Sequence, residues 1–368
     1  ISNFDIPLSL LFTQSLQTGH LPQSWKDANV TPLHKKGSRQ ICSNYRPVSL
    51  TSQVVKLLER IIHDQMLKLV LANNTISCDQ HGFQDGCSCV TQLLECLFDW
   101  SSNIDNKIET HIVYLDFAKA FDTVPHTRLL HKLKQAGFRG KVLRWIEGFL
   151  RGRRQRVVLR NGVSGWQCVT SGVPQGSILG PLLFLIYVND IPGLITSITK
   201  MFADDTKVYK SIHNITDCEK MQADLNTLGS WSDIWLLNFN ADKCVVLKIK
   251  EKEKYVYTLN GVNLSQVKQQ KDLGILITDD LSPKCHIQNI VNKANQRVGL
   301  IKRCFTKLDN KIEILYKSLV RPVLEYGANV WSPWHKGDID LLLSRDLSCL
   351  LKADRDGADT TSSGRLFQ

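Results

Sequence analysis

Two adjacent carboxylates, Asp204 and Asp205, interrupt the segment 200–210, KMFADDTKVYK, which otherwise alternates like a strand. Side-by-side like charges repel and Asp has poor strand propensity, so local structure gains nothing from the pair. One reading is a surface hairpin with Asp204 and Asp205 as its turn residues. The other is a cation site, because a divalent ion neutralises the repulsion and takes hard oxygen ligands held on a stiff element. That second reading needs a third carboxylate, and Asp116 supplies it at the end of the apolar run HIVYL (111–115). Buried strands that end in Asp are uncommon without a ligand or partner. If the two strands are neighbours in one sheet, Asp116 and Asp204 project to a common point and can hold two metal ions. Such a pair suits phosphoryl transfer, one ion activating an attacking hydroxyl and the other steadying a leaving pyrophosphate.

The elements that must position these carboxylates can be read around them. Residues 111–117 form a β-rich buried strand, followed by a helix with Leu129, Leu130 and Leu133 at helical spacing that Gly137 can end. A second helix, 140–152, places Val142, Ile146 and Phe149 on one face. Residues 155–172 read as a hairpin turning at Asn161-Gly162. Between the two Asp-bearing strands lies SGVPQGSILGPLLF (171–184), where Gly172, Pro174 and Gly176 fix a loop, Gln175 offers an amide, and an apolar helix follows. Thr216 or Asp217 can cap a helix lined by Met221, Leu225, Leu228 and Trp235. Further strands are expected at 243–249, 255–267 and 272–278. From Ser282 the pattern turns helical, with Ile287, Ile290, Val291, Ala294, Val298 and Ile301 as an apolar stripe backed by Lys293, Arg297, Lys302 and Arg303. Residues after Leu343 lose hydrophobic periodicity, the pattern of a disordered tail.

Composition bounds the partners. The 368 residues, 43% hydrophobic and 22% charged, can bury a substantial core. Lys and Arg number 46 against 35 Asp and Glu, and the resulting +11 points to a polyanion, nucleic acid first. The longest apolar run, 178–188, is too short to span a bilayer, so no membrane span is expected. Eleven cysteines without paired C-x-x-C spacing and without a signal peptide fit reduced thiols in an intracellular compartment rather than secretion. Cys78, His81, Cys87 and Cys89 match no common zinc spacing. The start at Ile1 rather than Met is the expectation for a fragment of a longer product. The run RGRRQR, with Arg151, Arg153 and Arg154, can be a solvated patch, a nuclear signal or a phosphate-contacting surface, and phosphate contact is the preferred reading.

In chain order, strand-Asp, Pro-Gln-Gly loop and Ala-Asp-Asp hairpin resemble the reverse transcriptases of non-LTR, LINE-type retrotransposons, most closely the jockey-like group. YLDFAKAFDTVPH (114–126) resembles that family's motif A and SGVPQGSILGPLLFLIYVNDI (171–191) its motif B. FADDT (202–206), FNADKC (239–244) and DLGI (272–275) resemble motifs C, D and E. Upstream, WKDANVTPLHKKG, NYRPVSLTS and QHGF are similar to its fingers; downstream, KANQRVGLIKRCF and LYKSLVRPVLEYGANVWSPW are similar to its thumb. The resemblance runs from about Ile6 to Trp334.

The resemblance implies an α+β right-hand polymerase: fingers over 1–110, an antiparallel-sheet palm over 111–281, a helical thumb over 282–343, and an aberrant tail over 344–368. It implies an RNA-directed DNA polymerase that extends a DNA primer 3′-hydroxyl on an RNA template with dNTPs and two Mg2+ ions, Mn2+ being an alternative. Asp116, Asp204 and the Phe117 carbonyl would hold the metals, supported by Asp205. Phe121 would be the aromatic gate against a ribose 2′-hydroxyl, Gln175 would contact the incoming nucleotide, and Lys36 and Arg46 its triphosphate. Lys243 would give a proton to pyrophosphate, and Leu273 and Gly274 would mark the primer grip. Such an enzyme works in the nucleus, with a cytoplasmic ribonucleoprotein phase. Gln84 and Cys87 stand where the family usually carries Arg, so the alternative is a silent, truncated remnant that only binds nucleic acid. A third reading, a metal-dependent phosphatase, finds no nucleophile signature beyond LDF.

Overall fold

The computed structural model describes residues 2–35, 37–305 and 311–343. Lys36 and the expected tail beyond Leu343 lie outside the described residues. The chain forms two compact units. The first comprises residues 1–88, 111–246 and 253–266; the second comprises 89–110, 247–252 and 267–368. Residues 89–110, which motif order assigns to the fingers, therefore cluster with the second unit.

Fourteen strands are described: β1 Asp27–His34, β2 Tyr45–Leu50, β3 Glu109–Leu115, β4 Arg154–Leu159, β5 Gly162–Val163, β6 Gln167–Cys168, β7 Ile198–Phe202, β8 Asp205–Ile212, β9 Val245–Ile249, β10 Thr258–Leu259, β11 Val262–Asn263, β12 Ser265–Val267, β13 Gln269–Asp272 and β14 Ile275–Thr278. One five-stranded sheet has the order β12-β9-β3-β8-β7, so the two strands that carry the carboxylates are neighbours. Every residue of β3 is buried, as expected of a strand covered on both faces. A second sheet has the order β2-β1-β4-β5, with β6 also on β4. Its β1 and β4 run parallel, whereas β1 and β2 are antiparallel.

Helices cover the first sheet. Leu179–Val188 is buried almost all round, its Leu183 and Phe184 joining Leu129, Leu133, Ile146 and Phe149 in one core. The helix Ile215–Trp235 adds Met221, Leu225 and Leu228, as its spacing requires. Its N-cap is Asn214, not Thr216 or Asp217. Asp217 instead accepts the His213 N–H at 3.1 Å and pairs with Lys220, duties suited to a carboxylate inside the first helical turn. The β4–β5 hairpin also differs by one residue: Leu159 faces Gly162, so Arg160 and Asn161 make the turn and Gly162 starts the return strand.

Lys132 is buried with its ammonium 2.5 Å from Asp190, 3.9 Å from the centre of the Trp235 ring and beside Trp231 and Tyr187. The Trp231 Nε1–H donates to both oxygens of Asp190, tying cation, carboxylate and rings together.

In the second unit, β13 and β14 pair antiparallel through Leu273-Gly274. Ala294 and Ile301 of the helix Lys284–Cys304 pack with Tyr316 and Val320. Ile287, Ile290 and Val291 of the expected stripe are buried on the same helix. Burial pulls the His286 imidazole down to about 4, leaving it neutral, and its Nδ1 accepts the Leu276 N–H.

Asp190→Asn strands a buried ammonium. Because Asp190 is itself half-exposed, the loss should be about 2 kcal/mol, below the usual penalty for breaking a buried pair. Urea unfolding of the variant measures it, and a change under about 0.5 kcal/mol would show that the rings alone hold Lys132.

Candidate active site

Phe202 pairs with Asp205 across β7 and β8, which leaves Ala203 and Asp204 as the two-residue turn. Asp204, rather than the Asp pair, is thus at the tip, and exposed Asp205 is the first residue of β8. Ala203 has φ +57°, a left-handed conformation that costs a residue with a Cβ about 1 kcal/mol. Asp116 lies one residue beyond the end of β3.

Burial raises the Asp204 carboxyl above the usual carboxylate range, and the charge of Asp116 adds to the rise. Its own backbone N–H, Arg46 and Lys35 pull the other way. Arg46, which the motif resemblance names for the triphosphate, thus acts by its charge on Asp204. Beside Lys36, which lies outside the described residues, Lys35 was not singled out by the sequence and acts on the same carboxylate.

Residues 238–244 brace Asp116. The Asn240 N–H donates to the Asp116 carbonyl at 2.7 Å and the Ala118 N–H to the Asn238 carbonyl at 2.8 Å. These flank a bridge between Phe117 and Phe239, whose rings stack 4.6 Å apart. In such a pair the flanking residues make the hydrogen bonds, so the Phe117 carbonyl points away from Phe239. The Asp116 N–H donates to Cys244 Sγ at 3.3 Å, and burial pushes the Cys244 thiol up to about 11. Lys243 Nζ is 3.4 Å from Asp116 Oδ2, both groups being solvent-accessible, which makes this a weak pair.

The 171–177 loop is docked by backbone contacts. The Gly172 N–H donates to the Val124 carbonyl, Val173 N–H to that of Phe121, and Ser49 N–H to that of Gln175. A Cβ on Gly172 would lie 2.6 Å from the Asp122 carbonyl oxygen and one on Gly176 2.6 Å from that of Ser49, so both approaches require glycine. Gln175 Nε2 donates to Asp122 Oδ1 at 2.8 Å. Half-buried Phe121 stacks on Phe184 at 4.5 Å, which fixes its ring. Buried Glu59 accepts the Ile178 and Leu179 N–H groups at the start of the motif B helix. Nothing in its local sequence marks that role.

The arginine run divides. Arg151 is exposed and pairs with Glu147. Arg154 makes two hydrogen bonds to Asp27 and lies over Trp166. Arg153 is 3% exposed, donates to the Phe149 carbonyl and is pulled down to about 10 by burial, so a phosphate-contacting role for it is corrected: its guanidinium belongs to the interior. Leu273 and Gly274, in the second unit, form a tight turn with φ of +43° and +97°, and the Tyr326 hydroxyl donates to the Leu273 carbonyl.

Among the described residues no group of three His, Cys, Asp or Glu side chains converges into a metal cage. What is present is two hard carboxylates, one of which, Asp204, is disfavoured as an anion by burial and then by the charge of the other, and a backbone carbonyl off its ladder. That donor set fits a magnesium-type ion, which takes one or two carboxylates and fills its shell with phosphate and water oxygens.

A profile described as reverse transcriptase (RNA-dependent DNA polymerase) matches residues 33–276, more than half of the chain. The chain belongs to the reverse transcriptase family. Its α+β fold is the right-hand polymerase class that the motifs imply, and the resemblance to the non-LTR, jockey-like group is borne out. It is 30% identical over 342 residues to the RNA-directed DNA polymerase from mobile element jockey of Drosophila melanogaster, covering 88% of this chain and 37% of that protein. It is 29% identical over 342 residues to a probable RNA-directed DNA polymerase from transposon BS of the same organism, covering 88% and 38%. The chain spans little more than a third of the length of these relatives. Among solved structures, telomerase from Candida tropicalis in complex with a telomeric RNA fragment aligns with a TM-score of 0.48 at 10% identity, over 96% of this chain and 66% of that one. Reverse transcriptases use divalent metals. Among the described residues no helix is long and apolar enough to cross a membrane.

A carboxyl whose folded pKa lies above its unfolded value adds stability in acid and loses it as pH rises through the folded value. Wherever it is ionised, Asp204 is therefore a net cost. Asp204→Asn should melt higher than the parent at pH 7, with the gap closing as pH falls below the ordinary carboxylate range; thermal melts across pH check it, and a lower melting temperature at pH 7 refutes it.

Proposed function

We propose that this chain is the polymerising part of an RNA-directed DNA polymerase of a non-LTR retrotransposon, extending a DNA primer 3′-hydroxyl along an RNA template with dNTPs. The observation that carries the reading is the approach of Asp116, just past the end of β3, to Asp204, in the turn that enters the neighbouring β8, close enough for the charge of one to disturb the other. Two Mg2+ ions, or Mn2+ in their place, held by Asp116, Asp204 and the Phe117 carbonyl with Asp205 alongside, would activate the primer hydroxyl and steady charge on the leaving pyrophosphate.

The protein's own groups do the rest. Arg46, with Lys35 and Lys36, attracts the triphosphate toward Asp204. Asp122 holds the Gln175 side chain by hydrogen bond, orienting that amide for an incoming nucleotide. Phe121, braced by Phe184, is a rigid wall that leaves room for a deoxyribose and crowds a ribose 2′-hydroxyl. Lys243 is exposed beside Asp116 and free to turn its ammonium toward pyrophosphate as a proton donor. Arg151 at the surface and the Leu273-Gly274 turn are the candidate contacts to template and primer. We assign the names fingers, palm and thumb to 1–110, 111–281 and 282–343 on the motif resemblance, and nuclear action with a cytoplasmic ribonucleoprotein phase on the kind of element.

Primer extension on an RNA template tests the reading. Asp204→Asn should cost at least about 10³-fold in rate, on the order of 4 kcal/mol of transition-state stabilisation, while template affinity stays within about twofold. Equal extension by parent and variant would remove the assignment.

Phe121→Ala should raise ribonucleotide incorporation by about tenfold, the scale of one lost steric contact. An unchanged preference for dNTPs would mean that the ring only packs on Phe184.

A further inference from the structure

The segment Asp79–Gly82, which the sequence assigned only to the fingers, is built onto the outer edge of the catalytic hairpin. Gln80 and Met201 form a parallel bridge: the Met201 N–H donates to the Asp79 carbonyl at 2.9 Å and the His81 N–H to the Met201 carbonyl at 2.8 Å. Lys200 Nζ pairs with Asp79 at 3.1 Å. The Gln80 side chain then turns under the tip. Its Oε1 accepts the Ala203 N–H at 2.9 Å and the Gly82 N–H at 2.8 Å. Gln80 is 3% exposed and its Nε2 has no hydrogen-bond partner among the described residues, so acceptance is the work its amide does. Gly82 lies so close beneath the turn that a Cβ there would sit 2.4 Å from the Ala203 nitrogen.

Ala203 is the strained residue of the turn, and its N–H is the group that Gln80 holds. A left-handed alanine persists only where its surroundings over-determine it. Releasing that N–H frees the turn to relax, and Asp204, the next residue, moves with it. We propose that Gln80 is a positioning residue that holds Asp204 in its metal-binding and catalytic placement by locking Ala203 through a single side-chain oxygen. The proposal rests on the polymerase reading for its consequence in catalysis, but its direct effect is on cation binding. Gln84, standing where the family usually carries Arg, reinforces the device: its Nε2 donates to the Gln80 carbonyl at 2.6 Å.

The test compares the full chain with Gln80→Met, which keeps the shape and removes the acceptor, and with Gln80→Glu, which keeps an oxygen in the same place. Mn2+ binding without substrate, followed by the loss of the free-ion paramagnetic resonance signal, should weaken several-fold in Q80M and return to within about threefold of the parent in Q80E. Primer extension should lose about tenfold or more in kcat for Q80M, with template affinity unchanged, as expected when a catalytic group is displaced by about an ångström. Equal Mn2+ affinity in parent and Q80M overturns the proposal, as does a Q80E that melts like the parent but binds Mn2+ as poorly as Q80M. If the parent extends no primer, the polymerase reading fails while the Mn2+ titration still decides the role of Gln80. Should Q80M fail to fold, Gln80→Asn, whose oxygen is withdrawn by one methylene, decides by the same titration.

Discussion

A negative charge that its surroundings disfavour has to be kept at a fixed point, and most of the first unit is arranged around that requirement. Asp204 is raised by burial and by Asp116, and the compensating cations, Arg46 and Lys35, come from one hairpin of the other sheet. Asp204 is half-buried in the two-residue turn, where a carboxylate short of partners takes up a proton or draws in a cation. The cost is an inherent bias toward cation binding, since a divalent ion relieves burial and repulsion together.

Three separate stretches share the work of holding the geometry, and each is joined through backbone hydrogen bonds, with side-chain contacts such as Lys200–Asp79 and Gln175–Asp122 beside them. Residues 79–82 extend the hairpin edge, 238–244 pair with the end of β3, and 171–177 close over Phe121 to Val124. A backbone bond contributes about 1 kcal/mol, but its directionality fixes position more tightly than an exposed pair such as Lys243 with Asp116. The glycines of motif B follow from this: the loop can reach the Asp122 and Ser49 backbones only where no Cβ intervenes.

Much of this was legible in the sequence because chemistry and periodicity coincided. Asp116 and Asp204 stood out as charges in apolar strands, and the leucines of the helix His126–Gln135 fell into the core as their spacing required. Side-chain duties that depend on distant partners were not legible. Arg153 reads as one more surface cation in RGRRQR, yet it lies just before β4 and is buried against Phe149, while Arg154, the first residue of β4, turns to Asp27. Gln80 lay inside a recognised motif, but the meaning of its amide appears only when Ala203 is seen in a left-handed turn 123 residues away. The hairpin turns at Arg160-Asn161, one residue before the Asn161-Gly162 that the sequence suggests, because Gly162 serves equally well as a turn residue or as the first residue of a strand.

Cys244 gives the site a built-in chemical clock. Its sulfur lies against the Asp116 backbone and its thiol, pushed up to about 11, is almost wholly protonated at neutral pH, so an electrophile meets neither an accessible atom nor a thiolate. Alkylation at this sulfur has to wait for the end of β3 to part from residues 238–244. The rate at which it acquires a label therefore measures how often the end of β3 lets go of its support, a local opening frequency reported by a native atom at that spot.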